Sequence, residues 1–181
     1  MSGIVRLTLL SHGMTDAMSA GRFPTDEPLN ALGTRQVRTI NGLDSADRII
    51  SGPERRTRHT AELCGWQPDI DPALADLDCG NWRGHHLTEI DPATLHQWMS
   101  DPTSAPHGGE SITALIDRTA NWLHTITTAT GRLVAVTHPA VIRAAILTVL
   151  KAPPESFWRI DIPPASRTAL HHRTDWTYRP A

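Results

Sequence analysis

Leu7-Thr8-Leu9-Leu10-Ser11-His12-Gly13-Met14-Thr15 is an apolar run that stops abruptly at a histidine and a glycine, with a hydroxyl residue two positions later. Ile4 to Leu10 is too short to span a membrane and shows no helical periodicity, so it predicts a buried strand. In an α/β protein such a strand releases its chain at the carboxyl edge of the sheet, where ligands bind. Gly13 is expected to let the backbone turn sharply there and to leave one side of the His12 ring open. Alone, a histidine at a strand end is more often a satisfied structural residue than a reactive one. Its meaning depends on the rest of the chain.

The rest of the chain alternates strand-like and helix-like segments, which predicts an α/β fold with a largely parallel sheet. Asn30 can cap a helix beginning near Ala31, with Val37, Ile40 and Leu43 as its apolar stripe. Arg48 to Ser51 reads as a short strand, and Gly52-Pro53 as the opening of a helix that runs to about Cys64. Ile70 to Leu74 reads as a third strand, followed by a loop from Asp76 to Gly84. From His85 to Gly109 three prolines break the pattern into one or two short helices and a loop, expected to lie over the carboxyl edge. Ser111 to Thr130 is the longest amphipathic stretch. Leu133 to Thr137 is the clearest buried strand, and Pro139 to Leu150 an apolar helix. In the tail, Thr168 to His172 and Trp176 to Arg179 fit edge strands. There is no internal repeat and no low-complexity linker. A length of 181 residues suits one domain over 1–181, with a small lid-like insertion at about 85–110.

Composition excludes several classes of function. A formal charge of -2 and 20% charged residues give no footprint for nucleic acid and no polybasic patch for a membrane surface. No segment is long and apolar enough to cross a bilayer, and no secretory signal follows Met1. Cys64 and Cys79 have no ligand-like spacing. A cytoplasmic setting is the expectation, with no metal and no cofactor. His85-His86 and His171-His172 are adjacent pairs whose rings should diverge, so they read as surface histidines.

Three further segments converge on the edge reached by His12. Ser51-Gly52-Pro53-Glu54-Arg55-Arg56-Thr57 follows a strand and opens a helix, so free backbone N–H groups and arginines face the sheet edge. Asp76-Leu77-Asp78-Cys79-Gly80-Asn81-Trp82-Arg83-Gly84 is an acidic loop between elements. Val134-Ala135-Val136-Thr137-His138-Pro139 is a second buried strand that delivers a histidine to a helix start. Each has a bland reading: a basic helix surface, a solvated turn, a packed imidazole. Two unrelated strands that both end in histidine are harder to explain by packing.

With these segments the chain resembles the histidine phosphatase superfamily, the phosphoglycerate mutase-like family. Asp26 to Gln36 is similar to its D-x-P-L-x-x-x-G-x-x-Q stretch, Pro106 to Ser111 to its P-x-G-G-E-S, and Pro163-Pro164-Ala165-Ser166 with Trp176 to its C-terminal strands. The resemblance covers nearly the whole chain. It implies a three-layer sandwich, with a mostly parallel central sheet and helices on both faces. It also implies roles: His12 as the nucleophile that accepts a phosphoryl group, Arg56 as its ligand, Asp76 as proton donor and base, His138 as a second contact to the transferring group. Thr15 stands where a hydroxyl residue assists phosphate binding, and Ser11 and Gly13 flank the nucleophile in the same pocket. The partner implied is a small phosphorylated substrate. The chemistry agrees. Neutral imidazole attacks well near pH 7, a phosphohistidine divides one hard displacement into two, and a guanidinium fork suits phosphoryl oxygens.

Three positions depart from that pattern. Ser11 stands where an arginine is usual, Met18 where asparagine is common, and Pro139 where glycine is usual. A charged hydrogen bond lost from a buried phosphate costs about 2 kcal/mol or more. Arg22, Arg55 and Arg58 are the candidates to restore the charge. Two readings of different class follow: a metal-independent phosphatase for small phosphomonoesters, or a degenerate relative that binds a phosphorylated ligand or a protein partner without efficient turnover. A mutase ranks last, because the chain lacks the length that larger mutases use to close over their substrate. Trp82, Trp98, Met99 and His107 fall near the expected lid and suggest a partly apolar leaving group, with core packing as the alternative for each tryptophan. Exposed tail strands permit a homodimer paired along its edge.

Overall fold

A computed structural model describes residues 4–43 and 45–180. Its centre is a six-stranded sheet. In chain order the strands are β1 (Val5–Ser11), β2 (Arg48–Ser51), β3 (Asp69–Ile70), β4 (Gly131–Thr137), β5 (Arg167–His172) and β6 (Trp176–Arg179). Their spatial order is β3-β2-β4-β1-β5-β6. β1 to β4 run parallel, β5 returns antiparallel to β1, and β6 returns against β5. The helices are α1 (Asp16–Ala20), α2 (Ala31–Arg38), α3 (Arg55–Leu63), α4 (Pro92–Ser100), α5 (Ile112–Thr125) and α6 (Pro139–Leu150).

The pleat explains the layering. Leu7 and Leu9 of β1, Leu133 and Ala135 of β4, and Leu170 of β5 point to one face, where they bury Leu115 and Leu123 of α5 and Ile142, Ala145 and Ile146 of α6. Leu10, Val134 and Val136 point to the other face and pack on Ala61 of α3, with Ile40 and Leu43 alongside. The expected three-layer sandwich is thus the observed one: helices cover both faces of a mostly parallel sheet. No described helix is long and apolar enough to cross a membrane.

Several local expectations are corrected. The third strand is two residues long, because Pro72 has no N–H for a ladder and Asp71 caps a 3-10 turn over Pro72–Leu74. Helix α3 starts at Arg55 rather than beside Pro53, with Glu54 at its N-cap. Helix α2 ends at Arg38, so Ile40 and Leu43 pack from the chain beyond it. Helix α1 falls in a stretch that gave no helical signal; Thr15 caps it by accepting from the Met18 N–H. β5 is internal, lying between β1 and β6, so only β6 is an edge strand at that end of the sheet.

Gly13 is required for a reason other than a turn. A Cβ there would lie 2.8 Å from the Gly33 carbonyl oxygen and 2.9 Å from Val37 Cγ2. A Cβ on Gly33 would in turn overlap the Met14 backbone. The chain leaving β1 and helix α2 therefore pack backbone against backbone, which only two glycines allow. Gly33→Ala is expected to destabilise the fold by about 1–3 kcal/mol through overpacking. The exposed Arg38→Ala on the same helix should stay within about 0.5 kcal/mol. Urea unfolding of the two variants checks both values.

Candidate active site

The sheet register builds the site. Ser11 is the direct partner of Thr137 across the β1–β4 ladder, and the His12 N–H donates to the Thr137 carbonyl at 3.1 Å. The residues that follow the two strand ends, His12 and His138, are thereby neighbours, with ring centroids 5.1 Å apart and planes at 67°. Both rings are buried. β2 ends beside β4, with Ser51 opposite Val136. Its continuation through Glu54 into α3 brings Arg56 to the same edge.

His12 Nδ1 lies 2.7 Å from the Gly13 carbonyl, which can only accept, so Nδ1 carries the proton and Nε2 the lone pair. Burial, then His138 and Arg56, hold its pKa down at about 3. The imidazole is neutral across the physiological range, as a nucleophile requires. Arg56, 2% exposed, donates to the Thr25 carbonyl at 2.9 Å and to Asp76 Oδ2 at 2.6 Å. Burial pushes the Asp76 carboxyl up, but His138, Arg56 and His12 outweigh it and leave the group at about 2.

Glu54 is the residue that sequence reasoning missed. Its Oε2 accepts from His138 Nε2 at 2.7 Å, and its Oε1 accepts from the Asp76 N–H at 3.0 Å. Burial opposes its ionisation, and the hydrogen bond and charge of His138 overcome that, so its pKa is lowered. Glu54 thus orients the second histidine and the acidic loop together. A signal was present: glutamate is a poor N-cap, and its side chain makes no cap hydrogen bond to α3. With Nε2 engaged, His138 Nδ1 points toward Asp76 Oδ2 at 3.4 Å and makes no hydrogen bond among the described residues. Ser11 Oγ is likewise buried with no partner among the described residues.

A second missed group holds the acidic loop in place. Arg118 on α5 forks onto Glu110 at 2.9 and 2.8 Å and donates to the carbonyls of Ala73, Ala75 and Asp76. The Gly108–Gly109 segment docks closely against Asp78–Gly80. A Cβ on Gly80 would collide with the His107 carbonyl, and one on Gly109 with the Asp78 carbonyl. The Glu110 N–H donates to the Asp78 carbonyl at 2.8 Å. The Pro106-to-Ser111 stretch therefore clamps the loop that carries Asp76.

Beside the ion pair opens a cavity of about 210 Å³. Thr25, Asp26, Glu54, Arg56, Asp76 and Arg83 line it, with Pro24, Leu77 and Cys79 as apolar wall. Of the arginines considered as replacements for the charge absent at position 11, none lines it. Arg22 donates to the Gly84 carbonyl, and Arg55 and Arg58 line a separate hollow with His59. Arg83 is its second guanidinium, paired with Asp78 at 2.8 Å. Trp82, Trp98 and His107 are buried in an aromatic cluster with Phe23, and Met99 is exposed. The three rings are packing residues, and the cavity wall is mainly charged. Burial lifts the Cys79 thiol to about 12, which makes it inert. Among the described residues no group of His, Cys, Asp and Glu is placed to hold a metal ion.

The model of the histidine phosphatase superfamily (branch 1) matches residues 7–178. The chain is 29% identical over 175 residues to the adenosylcobalamin/alpha-ribazole phosphatase of Salmonella typhimurium, covering 87% of this chain and 86% of that one. It is 30% identical over 173 residues to the glucosyl-3-phosphoglycerate phosphatase of Mycolicibacterium vanbaalenii, covering 84% and 77%. A mycobacterial glucosyl-3-phosphoglycerate phosphatase solved with VO3 superposes with a TM-score of 0.82 at 27% identity, over 96% of each chain. A phosphoserine phosphatase from Entamoeba histolytica solved with phosphoserine superposes at 0.86 and 23% identity, over 97% and 95%, a likeness of fold.

The buried histidine makes stability depend on pH. Unfolded, His12 takes a proton near pH 6.5; folded, it does so only near 3. Between those values the unfolded state binds more protons, so stability falls as pH falls. The depressed carboxyls of Asp76 and Glu54 act in the same direction at lower pH. Urea unfolding of wild type against His12→Asn between pH 6.5 and 4.5 should show a steeper loss in wild type, by up to about 1.4 kcal/mol per pH unit. Equal slopes would contradict the neutral, buried imidazole.

Proposed function

For a chain that belongs to the histidine phosphatase superfamily (branch 1), we propose metal-independent hydrolysis of small phosphomonoesters in two displacements. In the first, His12 Nε2 attacks phosphorus, the ester P–O bond breaks, and the alcohol leaves with a proton from Asp76. In the second, Asp76 takes a proton from water, whose oxygen displaces Nε2 and releases inorganic phosphate. Arg56 and His138 supply donors to the phosphoryl oxygens, and Glu54 and the Gly13 carbonyl fix the orientation and tautomer of the two imidazoles. The observation that carries this reading is the His12 ring, held neutral with Nε2 free, 5.1 Å from His138 and beside Arg56.

Asp76 is held ionised by Arg56 and His138, and an ionised carboxylate has no proton to give. A phosphate dianion competes for the same guanidinium and adds negative charge beside the carboxylate. Both changes raise the Asp76 pKa. A bound phosphate thus lets the carboxylate take up a proton from solvent, and the acid is armed only when a substrate is present.

Ser11 favours a second reading. Among the described residues its buried hydroxyl has no hydrogen-bond partner where the resemblance places a cation, and Arg22, Arg55 and Arg58 do not line the cavity beside Arg56. On that reading the protein binds a phosphorylated ligand or a protein partner and turns over slowly.

Hydrolysis of p-nitrophenyl phosphate between pH 5 and 8 separates the two. Wild type is expected to be active and His12→Ala inactive; equal rates would leave only the binding reading. Asp76→Asn should slow an alkyl phosphate by at least about 10²-fold. It should slow p-nitrophenyl phosphate less, because that leaving group departs without a proton. Equal slowing would remove Asp76 from the acid role.

A further inference from the structure

The opposite end of the same sheet carries a row of positive charge. Arg132 of β4 pairs directly with Arg6 of β1, Arg6 with His171 of β5, and His171 with Thr177 of β6. Directly paired residues stand on one face of a sheet, about 4.8 Å apart from strand to strand. Arg179, opposite Ala169 one step along, shares that face. It is the face on which α3 packs, but α3 covers Leu10, Val134 and Val136 near the carboxyl edge and leaves this row open. Arg6, Arg132, Arg173 and Arg179 are exposed.

Two hollows run along the row and share Arg6 and His171. One, of about 540 Å³, is lined by Arg173, Asp175 and Arg179 as well. The other, of about 250 Å³, lies between Thr8, Arg132, Leu43 and Ser45. Among the described residues none of the four arginines is ion-paired. Arg132 donates to Ser45 Oγ, and the Asp47 carboxylate takes the Arg132 backbone N–H. The positive field is felt at His171, whose imidazole is pushed down first by burial and then by Arg179, Arg6 and Arg173. Like charges set directly opposite in a sheet destabilise it. An anion laid along the row removes that repulsion and gains several charge-assisted hydrogen bonds.

We propose that this groove is a second anion site, separate from the catalytic cavity, and that it takes a linear anion of several linked phosphate groups. A single phosphate engages one guanidinium fork, whereas a chain of phosphates bridges stems on adjacent strands. The row lies six residues before His12 on β1, about 20 Å away at 3.3 Å per residue. A second copy of this face is a poor occupant, because it would bring the same cations together.

Isothermal titration with inorganic tripolyphosphate in moderate salt tests this. Wild type should bind one tripolyphosphate in the groove, and Arg56→Ala, which cripples the catalytic cavity, should retain that binding. The double variant Arg6→Ser/Arg179→Ser should weaken it at least tenfold while hydrolysing p-nitrophenyl phosphate as wild type does. ATP binding as tightly as tripolyphosphate would also support the site and point to a nucleotide source for the phosphate chain. Loss of binding in Arg56→Ala with retention in the double variant would overturn it, since the anion would then occupy only the catalytic cavity. So would equal weakening by sodium chloride and by inorganic phosphate at matched ionic strength, which would reduce the row to a screened surface charge. Both outcomes are independent of whether the catalytic cavity hydrolyses phosphomonoesters.

Discussion

Everything at the candidate active site depends on one register. Because Ser11 pairs with Thr137, the strands β1 and β4 end level with one another, and the first residue beyond each end is a histidine. A slip of two residues would keep the same faces buried and would carry the two rings about 7 Å apart along the strands. The register is held by the buried faces of both strands and by the backbone contact of Gly13 with Gly33, which anchors the chain as it leaves β1. The geometry of the site is therefore a consequence of sheet packing.

Around those two rings the protein buries charge of both signs. Arg56, Asp76, Glu54 and His138 form one connected set of hydrogen bonds and ion pairs, with Arg56 and His138 almost wholly withdrawn from water. Such a set is costly when any member is lost, because the remaining charge is left without its partner. It also sets the charge state of the two groups at its centre. Burial, with His138 and Arg56, keeps His12 neutral, while His138 and Arg56 outweigh burial at Asp76 and keep that carboxyl ionised. Arg118 and Glu110 stand behind the set and hold the backbone that carries Asp76.

Much of this was legible in the chain. The two apolar runs ending in His12 and His138, the strand-to-helix turn before Arg56 and the acidic loop at Asp76 each announced an edge position. The structure brings all four together. What escaped were groups whose importance lies in their partners. Glu54 looks like one acidic residue in a basic helix start, and Arg118 like one charge on an amphipathic helix. Neither spacing nor periodicity encodes that Glu54 meets His138 from 84 residues away or that Arg118 meets the Asp76 carbonyl from 42. For the tryptophans the sequence left two uses open, and the structure shows the packing one. Their proximity in sequence to the expected lid suggested a pocket, whereas burial against Phe23 and His107 is the more favourable use of a large aromatic surface.

Local constraints in the chain were enough to set the alternation of elements, the direction in which each buried strand delivers its chain, and the identity of the groups at the carboxyl edge. Those constraints are hydrophobic period, proline and glycine placement, and the chemistry of histidine, arginine and aspartate. Four features needed the folded molecule: which nitrogen of His12 carries the lone pair, the ionised state of Asp76 beside Arg56, the burial of Ser11 with no partner among the described residues, and the presence of Arg83 rather than Arg22, Arg55 or Arg58 in the cavity with Arg56. The row of Arg6, Arg132 and His171 is another, since those residues are distant in the chain and adjacent only through strand register. Proton placement and charge pairing depend on distances of a few ångströms between remote segments, and folding is what sets those distances.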